Sequence, residues 1–158
     1  MDLDHIINWR RHDARITSSG QPSEAELGEI AALGVRTIIN LAPHHNKGSL
    51  EDEQASVTAH GITYIHIPVE FENPTDGDFT AFCDAMNEAA VYPLHVHCIY
   101  NARVSAFFYK RARSGLGGDI EAAGARMESI WRPGNVWAAF IERHDDVDKP
   151  HRYAGDDY

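Results

Sequence analysis

Residues 93–105 read PLHVHCIYNARVS, and what they form decides the fold. Pro93 to His97 reads as a short strand, with His95 and His97 on one side of it and Val96 on the other. Cys98 stands at its carboxyl end. A helix is expected to begin near Arg103 and to carry Ala106, Phe107 and Tyr109 until Gly115, Gly117 and Gly118 break it. A strand, a tight loop and a helix start therefore follow one another directly.

The same alternation extends upstream. VRTIINLAP, from Val35 to Pro43, is β-branched and apolar, which predicts a strand buried on both faces. ITYIHIPV, from Ile62 to Val69, predicts another, and ARITSSGQP, from Ala14 to Pro22, a first strand running into a turn. Ser23 and Glu26 have capping-box spacing, so a helix is expected to about Leu33 with Leu27, Ile30, Ala31 and Leu33 facing the core. Gly34 suits the left-handed position that ends it. Ser49 to His60 reads as a helix closed by Gly61. Thr75 is a plausible cap for a helix whose apolar stripe is Phe79, Phe82 and Met86. Asp119 to Ile130 and Asn135 to Arg143 read as two last helices. Strands alternating with helices predict an α/β fold with three layers, a central, mostly parallel sheet of about four to five strands flanked by helices. In such sheets ligands bind beyond the carboxyl ends of the strands. The loops Pro43–Gly48, Glu70–Pro74 and Cys98–Arg103 are expected to meet there.

Length and charge narrow the function. A chain of 158 residues with 43% hydrophobic content fits one domain, expected over residues 1–143, with a polar, mobile tail over residues 144–158. The formal net charge of −10 argues against nucleic acid and anionic membrane as partners. The start, MDLDHIINWRR, has acids where a signal peptide carries basic residues, and no apolar run is long enough for a membrane span. A cytoplasmic location is the default expectation. Two cysteines, Cys83 and Cys98, do not make a disulfide framework. Cys83 is expected to be a small buried hydrophobe.

The loop from Cys98 to Arg103 carries the chemistry. Unpaired N–H groups at a helix start, together with the helix dipole, favour a bound anion. A guanidinium at Arg103 can hold two anion oxygens at once. The same field favours the thiolate of Cys98, and an anion cradle with a nucleophile at its floor suits covalent group transfer. Ten histidines raise the question of a metal, but His44, His45, His95 and His97 lack any metal-ligand spacing, so no metal and no cofactor are expected. Lys110, Arg111 and Arg113 are expected on a solvated helix face, and Trp131 and Trp137 in the packing of the last helix.

His-Cys, a short loop, then Arg at a helix start resembles the cysteine-dependent protein tyrosine and dual-specificity phosphatases. SSGQPSEAELGEIAALGVRTIINL, YIHIPVEFENPTDGDFTAF and IWRPGNVWAAFI are similar to the opening, the acid-bearing loop and the closing helix of small bacterial members. The resemblance covers about residues 14 to 142. It implies a phosphate monoester hydrolase acting on a phosphorylated protein or small molecule. Cys98 would be the nucleophile and Arg103 the phosphate-binding arginine. Ile99, Tyr100, Asn101, Ala102 and Ser105 would surround the phosphate, and His97 would orient the loop. Glu70, directly after IPV, best matches the general acid, with Glu72 and Asp76 as competitors. An apolar setting beside Phe71 would help to keep that acid protonated.

Four residues separate Cys98 from Arg103, where that family has five. Asn101 takes the place of a common glycine and tolerates a left-handed backbone. Val104 replaces the hydroxyl residue after the arginine, with Ser105 as a substitute. One residue fewer turns the arginine by about 100° on its helix. Four-residue spacing also resembles rhodanese-type sulfurtransferases, whose cysteine carries a persulfide. Three readings follow: a phosphatase, a sulfurtransferase, and a non-catalytic phosphate-binding module.

Overall fold

Two capping boxes start helices where the spacing predicts them. Ser23 Oγ accepts the Glu26 N–H while Glu26 accepts the Ser23 N–H, opening α1 (Glu24–Ala32). Thr75 and Asp78 do the same for α3 (Asp76–Met86). Each box satisfies two donors that a helix start otherwise leaves unpaired. Gly34, at φ +88°, follows α1 in the left-handed region.

The computed structural model describes residues 1–143, so the expected tail lies outside the described residues. In chain order the strands are β1 (Arg10–Arg11), β2 (Ile16–Ser19), β3 (Thr37–Asn40), β4 (Thr63–His66) and β5 (Leu94–His97). Besides α1 and α3 the helices are α2 (Glu53–Thr58), α4 (Ala102–Arg113), α5 (Ile120–Glu128) and α6 (Asn135–Phe140), with a short 3₁₀ turn at Ala89–Val91. The sheet order is β1-β2-β5-β3-β4. Among the described residues only β1 runs antiparallel, against β2; the other pairings are parallel. This is the expected α/β architecture, with β5 in the middle of the sheet.

The register sorts side chains to the two faces. Thr17, His95 and Ile38 lie abreast, as do Ser18, Val96 and Ile39. Ile38 packs with Leu27, Ile30 and Val57 from α1 and α2, and with Leu3, Ile6 and Trp9 of the amino-terminal segment. Val96 and Ile39 pack on the opposite face with Phe82, Val104, Phe107, Met127, Trp131 and Trp137. Trp131 and Trp137 are thus core residues, as expected, and both are fully buried.

Several elements are shorter than the sequence predicts, for local reasons. The helix expected from Ser49 begins at Glu53, because Asp52 caps it by accepting the Ala55 N–H and Ser49 is held in a turn by Asn46 O and Pro43 O. Strands β3 and β4 end early as regular ladder, yet Leu41, Ile67 and Val69 still donate to His97 O, Asn40 O and Leu41 O. Strand β1 was not expected: two adjacent arginines carry no strand pattern, and they pair only because β2 offers a free edge. Among the described residues no helix is long and apolar enough to cross a membrane.

Candidate active site

Strand β5 delivers Cys98 to the carboxyl edge of the sheet, between β2 and β3. Both the residue and the loop after it are buried except at Tyr100, which is 40% exposed. The loop closes in four residues because Asn101 reverses the chain at φ +68° and ψ +10°, as its tolerance of that region predicts. Its Nδ2 donates to Asn8 O at 2.9 Å and to Ser18 Oγ at 3.0 Å, so the turn is tied to both the amino-terminal segment and β2.

The carbonyls of Cys98, Ile99 and Tyr100 accept from outside the loop, and that of Asn101 from the Ser105 N–H of α4. Cys98 O accepts from His97 Nδ1 at 3.0 Å, Ile99 O from the Gln21 N–H at 3.0 Å, and Tyr100 O from Asn8 Nδ2 at 2.8 Å. In a trans peptide the N–H points opposite to its C=O. The N–H groups of Ile99, Tyr100 and Asn101 are therefore turned away from those donors, and the first N–H groups of α4 have no acceptor within the helix. Gly20 makes the arrangement possible: a Cβ there would collide with Ile99 O and with Ile7.

Arg103 lies in the first turn of α4 with no exposed surface. Its Nη1 donates to Val69 O at 2.8 Å, and its guanidinium carbon lies 5.7 Å from the Phe71 ring centre. Its Nε and Nη2 are buried and have no hydrogen-bond partner among the described residues. No described carboxylate lies within salt-bridge distance of it. A buried cation without a counter-charge is strongly unfavourable, and an anion bound by two oxygens would satisfy both nitrogens.

Glu70 stands between two residues that touch Arg103, Val69 and Phe71. Its side chain is 58% exposed and pairs with His45 Nε2 at 3.0 Å. Phe71 gives it no apolar cover, because that ring turns inward onto Trp131 and Trp137 and its carbonyl accepts from Trp137 Nε1 at 2.6 Å. Glu72 is exposed, and Asp76 is the first residue of α3, exposed as well. Ser105 is buried with its hydroxyl committed elsewhere: it donates to Ala102 O at 2.9 Å and accepts from Trp131 Nε1 at 3.1 Å. His44 stacks on His66 at 3.9 Å between ring centres and meets the Tyr64 hydroxyl at 2.9 Å. Cys83, part-buried, and Cys98 form no disulfide. Among the described residues no three His, Cys, Asp or Glu side chains gather as metal ligands would.

Sequence reasoning missed Glu53. Its Oε2 lies 2.7 Å from His97 Nε2, with both side chains essentially inaccessible, and its Oε1 accepts from Gln21 Nε2 at 2.7 Å. Burial alone would raise the Glu53 pKa and lower that of His97. The attraction and hydrogen bond between them outweigh it, helped by Gln21, so Glu53 falls below the ordinary carboxylate value and His97 rises above the ordinary imidazole value. Nothing in GSLEDEQAS separates Glu53 from its acidic neighbours Glu51 and Asp52. Only its contact with His97 of β5 does.

Residues 9–112 match the family described as beta-lactamase hydrolase-like protein, phosphatase-like domain. The chain belongs to this family. This phosphatase-like domain is 34% identical over 92 residues to the beta-lactamase hydrolase-like protein of Agrobacterium fabrum, covering 56% of the chain and 21% of that protein. It thus spans about a fifth of the length of the curated relatives it matches. Its fold is similar to that of a DUF442 protein from Shewanella putrefaciens CN-32, with a TM-score of 0.78, 31% identity, and 89% and 92% of the two chains covered. It is also similar to TpbA of P. aeruginosa, solved in complex with pTyr, at a TM-score of 0.61, 19% identity, and 77% and 72% coverage. The domain therefore has the protein tyrosine phosphatase-like fold.

Proposed function

We propose that the phosphatase-like domain hydrolyses phosphate monoesters through a phosphocysteine intermediate. The observation that carries this reading is the buried Arg103 guanidinium, with two nitrogens unpartnered, at the helix start five residues after Cys98. Two equatorial oxygens of a phosphoryl group would satisfy those nitrogens, and the N–H groups of Ile99, Tyr100, Asn101 and Ala102 would face the remaining charge. Ser105 would act indirectly, fixing the first turn of α4 through Ala102 and Trp131.

In the first step the Cys98 thiolate attacks phosphorus as the P–O bond to the leaving group breaks. Glu70 gives its proton to the leaving oxygen. In the second step Glu70 takes a proton from water, the water oxygen attacks phosphorus, and the S–P bond breaks to release phosphate and the thiolate. Glu70 is favoured over Glu72 and Asp76 because its neighbours on both sides contact Arg103. Substrates of the phosphotyrosine type fit the precedent of TpbA, and small phosphorylated molecules are the alternative class.

The four-residue spacing supports a second reading, sulfur transfer through a Cys98 persulfide. Steady-state hydrolysis of an aryl phosphate between pH 5 and 8 separates the two. Turnover lost in Cys98→Ser and in Arg103→Ala is expected. Release of thiocyanate from thiosulfate and cyanide, without phosphatase turnover, would favour sulfur transfer. Phosphate binding without either reaction would leave a phosphate-binding module.

A further inference from the structure

His97 has an acceptor at each ring nitrogen. Nδ1 faces the Cys98 carbonyl oxygen at 3.0 Å and Nε2 faces the Glu53 carboxylate at 2.7 Å. A carbonyl oxygen can only accept, so Nδ1 must carry a proton. Its contacts with His97 and Gln21 hold Glu53 below the ordinary carboxylate value, and an ionised carboxylate can only accept, so Nε2 carries the other. Glu53 is further committed as an acceptor by Gln21. The neighbouring His95 shows the contrast. Ser19 Oγ gives its hydrogen to Gly20 O at 2.7 Å and so accepts from His95 Nε2, which leaves Nδ1 to accept from Thr17 Oγ1. His95 thus has one donor and one acceptor and is neutral, whereas His97 has two acceptors and is a cation.

The geometry points to Glu53 as a positioning residue that holds His97 as an imidazolium, so that its second N–H grips the Cys98 carbonyl and the anion loop carries an added cation. The ion pair is oriented, with the imidazolium next to Cys98 and the carboxylate behind it on α2. The groups facing the pair come from every side. Arg103 on α4 opposes the imidazolium, and the neutral His95 ring lies beside it on β5, while His44, from the loop after β3, and Gln21 support the carboxylate; the Tyr64 hydroxyl and the His66 ring of β4 also adjoin the pair. When His97 loses its proton the pair changes from neutral to net negative, and the ring can no longer donate to both acceptors. Anion binding should weaken at that point. In Glu53→Gln the amide can donate to Nε2 of a neutral ring, so the grip on Cys98 O survives while the charge is gone.

For catalysis this inference rests on the phosphatase reading, but its test does not. Tungstate, kept dilute enough to remain the monomeric tetrahedral dianion over the range used, is titrated into Cys98→Ser protein so that the thiol does not contribute, between pH 6 and 9. Nitrogen-15 ring signals of His97 are recorded in parallel. Two protonated nitrogens are expected at pH 7 in the parent and one in the Glu53→Gln variant. Tungstate affinity should fall by about tenfold as His97 titrates in the parent, and stay flat with Glu53→Gln, so that the two curves cross. Parallel curves, or a single ring proton on His97 at pH 7 in the parent, would overturn the inference. If the curves cross but the Cys98 protein shows no aryl-phosphate turnover, the phosphatase reading fails and the role of Glu53 stands.

Discussion

Arg103 is a buried cation held by one carbonyl, with two of its nitrogens unpartnered among the described residues. A lysine has the charge but not the fork, so Arg103→Lys should lower kcat/KM for an aryl phosphate by about a hundredfold or more. Steady-state kinetics read this directly. Asn101 works through its backbone. Asn101→Gly keeps the left-handed turn but loses the bonds to Asn8 and Ser18, and should cost about 1 kcal/mol in a denaturant melt. Asn101→Val, β-branched at positive φ, should cost more and abolish anion binding. Glu70→Gln should reduce turnover of a poor leaving group, such as a simple alkyl phosphate, by about a hundredfold, and much less for a nitrophenyl ester. Equal losses on both substrates would reassign the acid. At this scale the sequence was most legible where the proposed site is local: Cys98, Asn101 and Arg103 lie within six residues of chain. Glu53 and Gln21 were not legible, because a buried carboxylate is defined by what packs on it, and its partner His97 is 44 residues away.

Helix α4 joins the site to the core. Its amino end bears Arg103, and Ser105 in the same turn accepts from Trp131, which packs on Phe71 under the guanidinium. Trp131→Phe keeps most of the packing but removes that donor. It should lower stability by about 1–2 kcal/mol and loosen phosphate binding more than a core substitution remote from α4. Helix α3 begins directly after the acid-bearing loop, so its cap sets where that loop ends. Thr75→Ala should cost about 1 kcal/mol in a thermal melt while leaving Cys98 chemistry intact. Most elements were readable from caps and periodicity, as the boxes at Ser23 and Thr75 attest. Strand β1 was not, since two adjacent arginines followed by a polar turn carry no strand pattern of their own. Neither was the short α2, whose start is decided by Asp52 and the turn at Ser49.

At the scale of the whole molecule, three histidines set opposite pH limits, His95 and His97 buried and His12 half-buried. His12 is pushed down to about 3, first by burial and then by Arg126 and Arg111. His95 lies well below its ordinary value, mainly through burial and then through His97. For both, the unfolded chain binds the proton more readily, so their stabilisation is complete above about pH 6.5 and is lost as pH falls, at up to about 1.4 kcal/mol per pH unit for each. His97 is raised, so its contribution is full below about pH 6.5 and is lost as pH rises through the folded value. Glu53 is lowered, so its part is present above about pH 4.3 and is lost only in stronger acid. Denaturant midpoints should therefore peak near neutrality and fall on both sides, and Glu53→Gln should remove the alkaline fall while leaving the acid one. The central sheet, the two helical layers and the place of the cysteine loop at its carboxyl edge were all readable from the order of strands and helices. The assignment of faces to His95 and His97 needed the register.

The proposed function stands or falls with the phosphorylation of Cys98 during turnover. Glu70→Gln protein, slowed in the second step, is mixed with an aryl phosphate, quenched in acid and digested, and the peptide bearing Cys98 is weighed. One phosphoryl group on Cys98, absent when Arg103→Ala is added, is the predicted result. A Cys98 peptide that stays unmodified while aryl phosphate is still hydrolysed would contradict it.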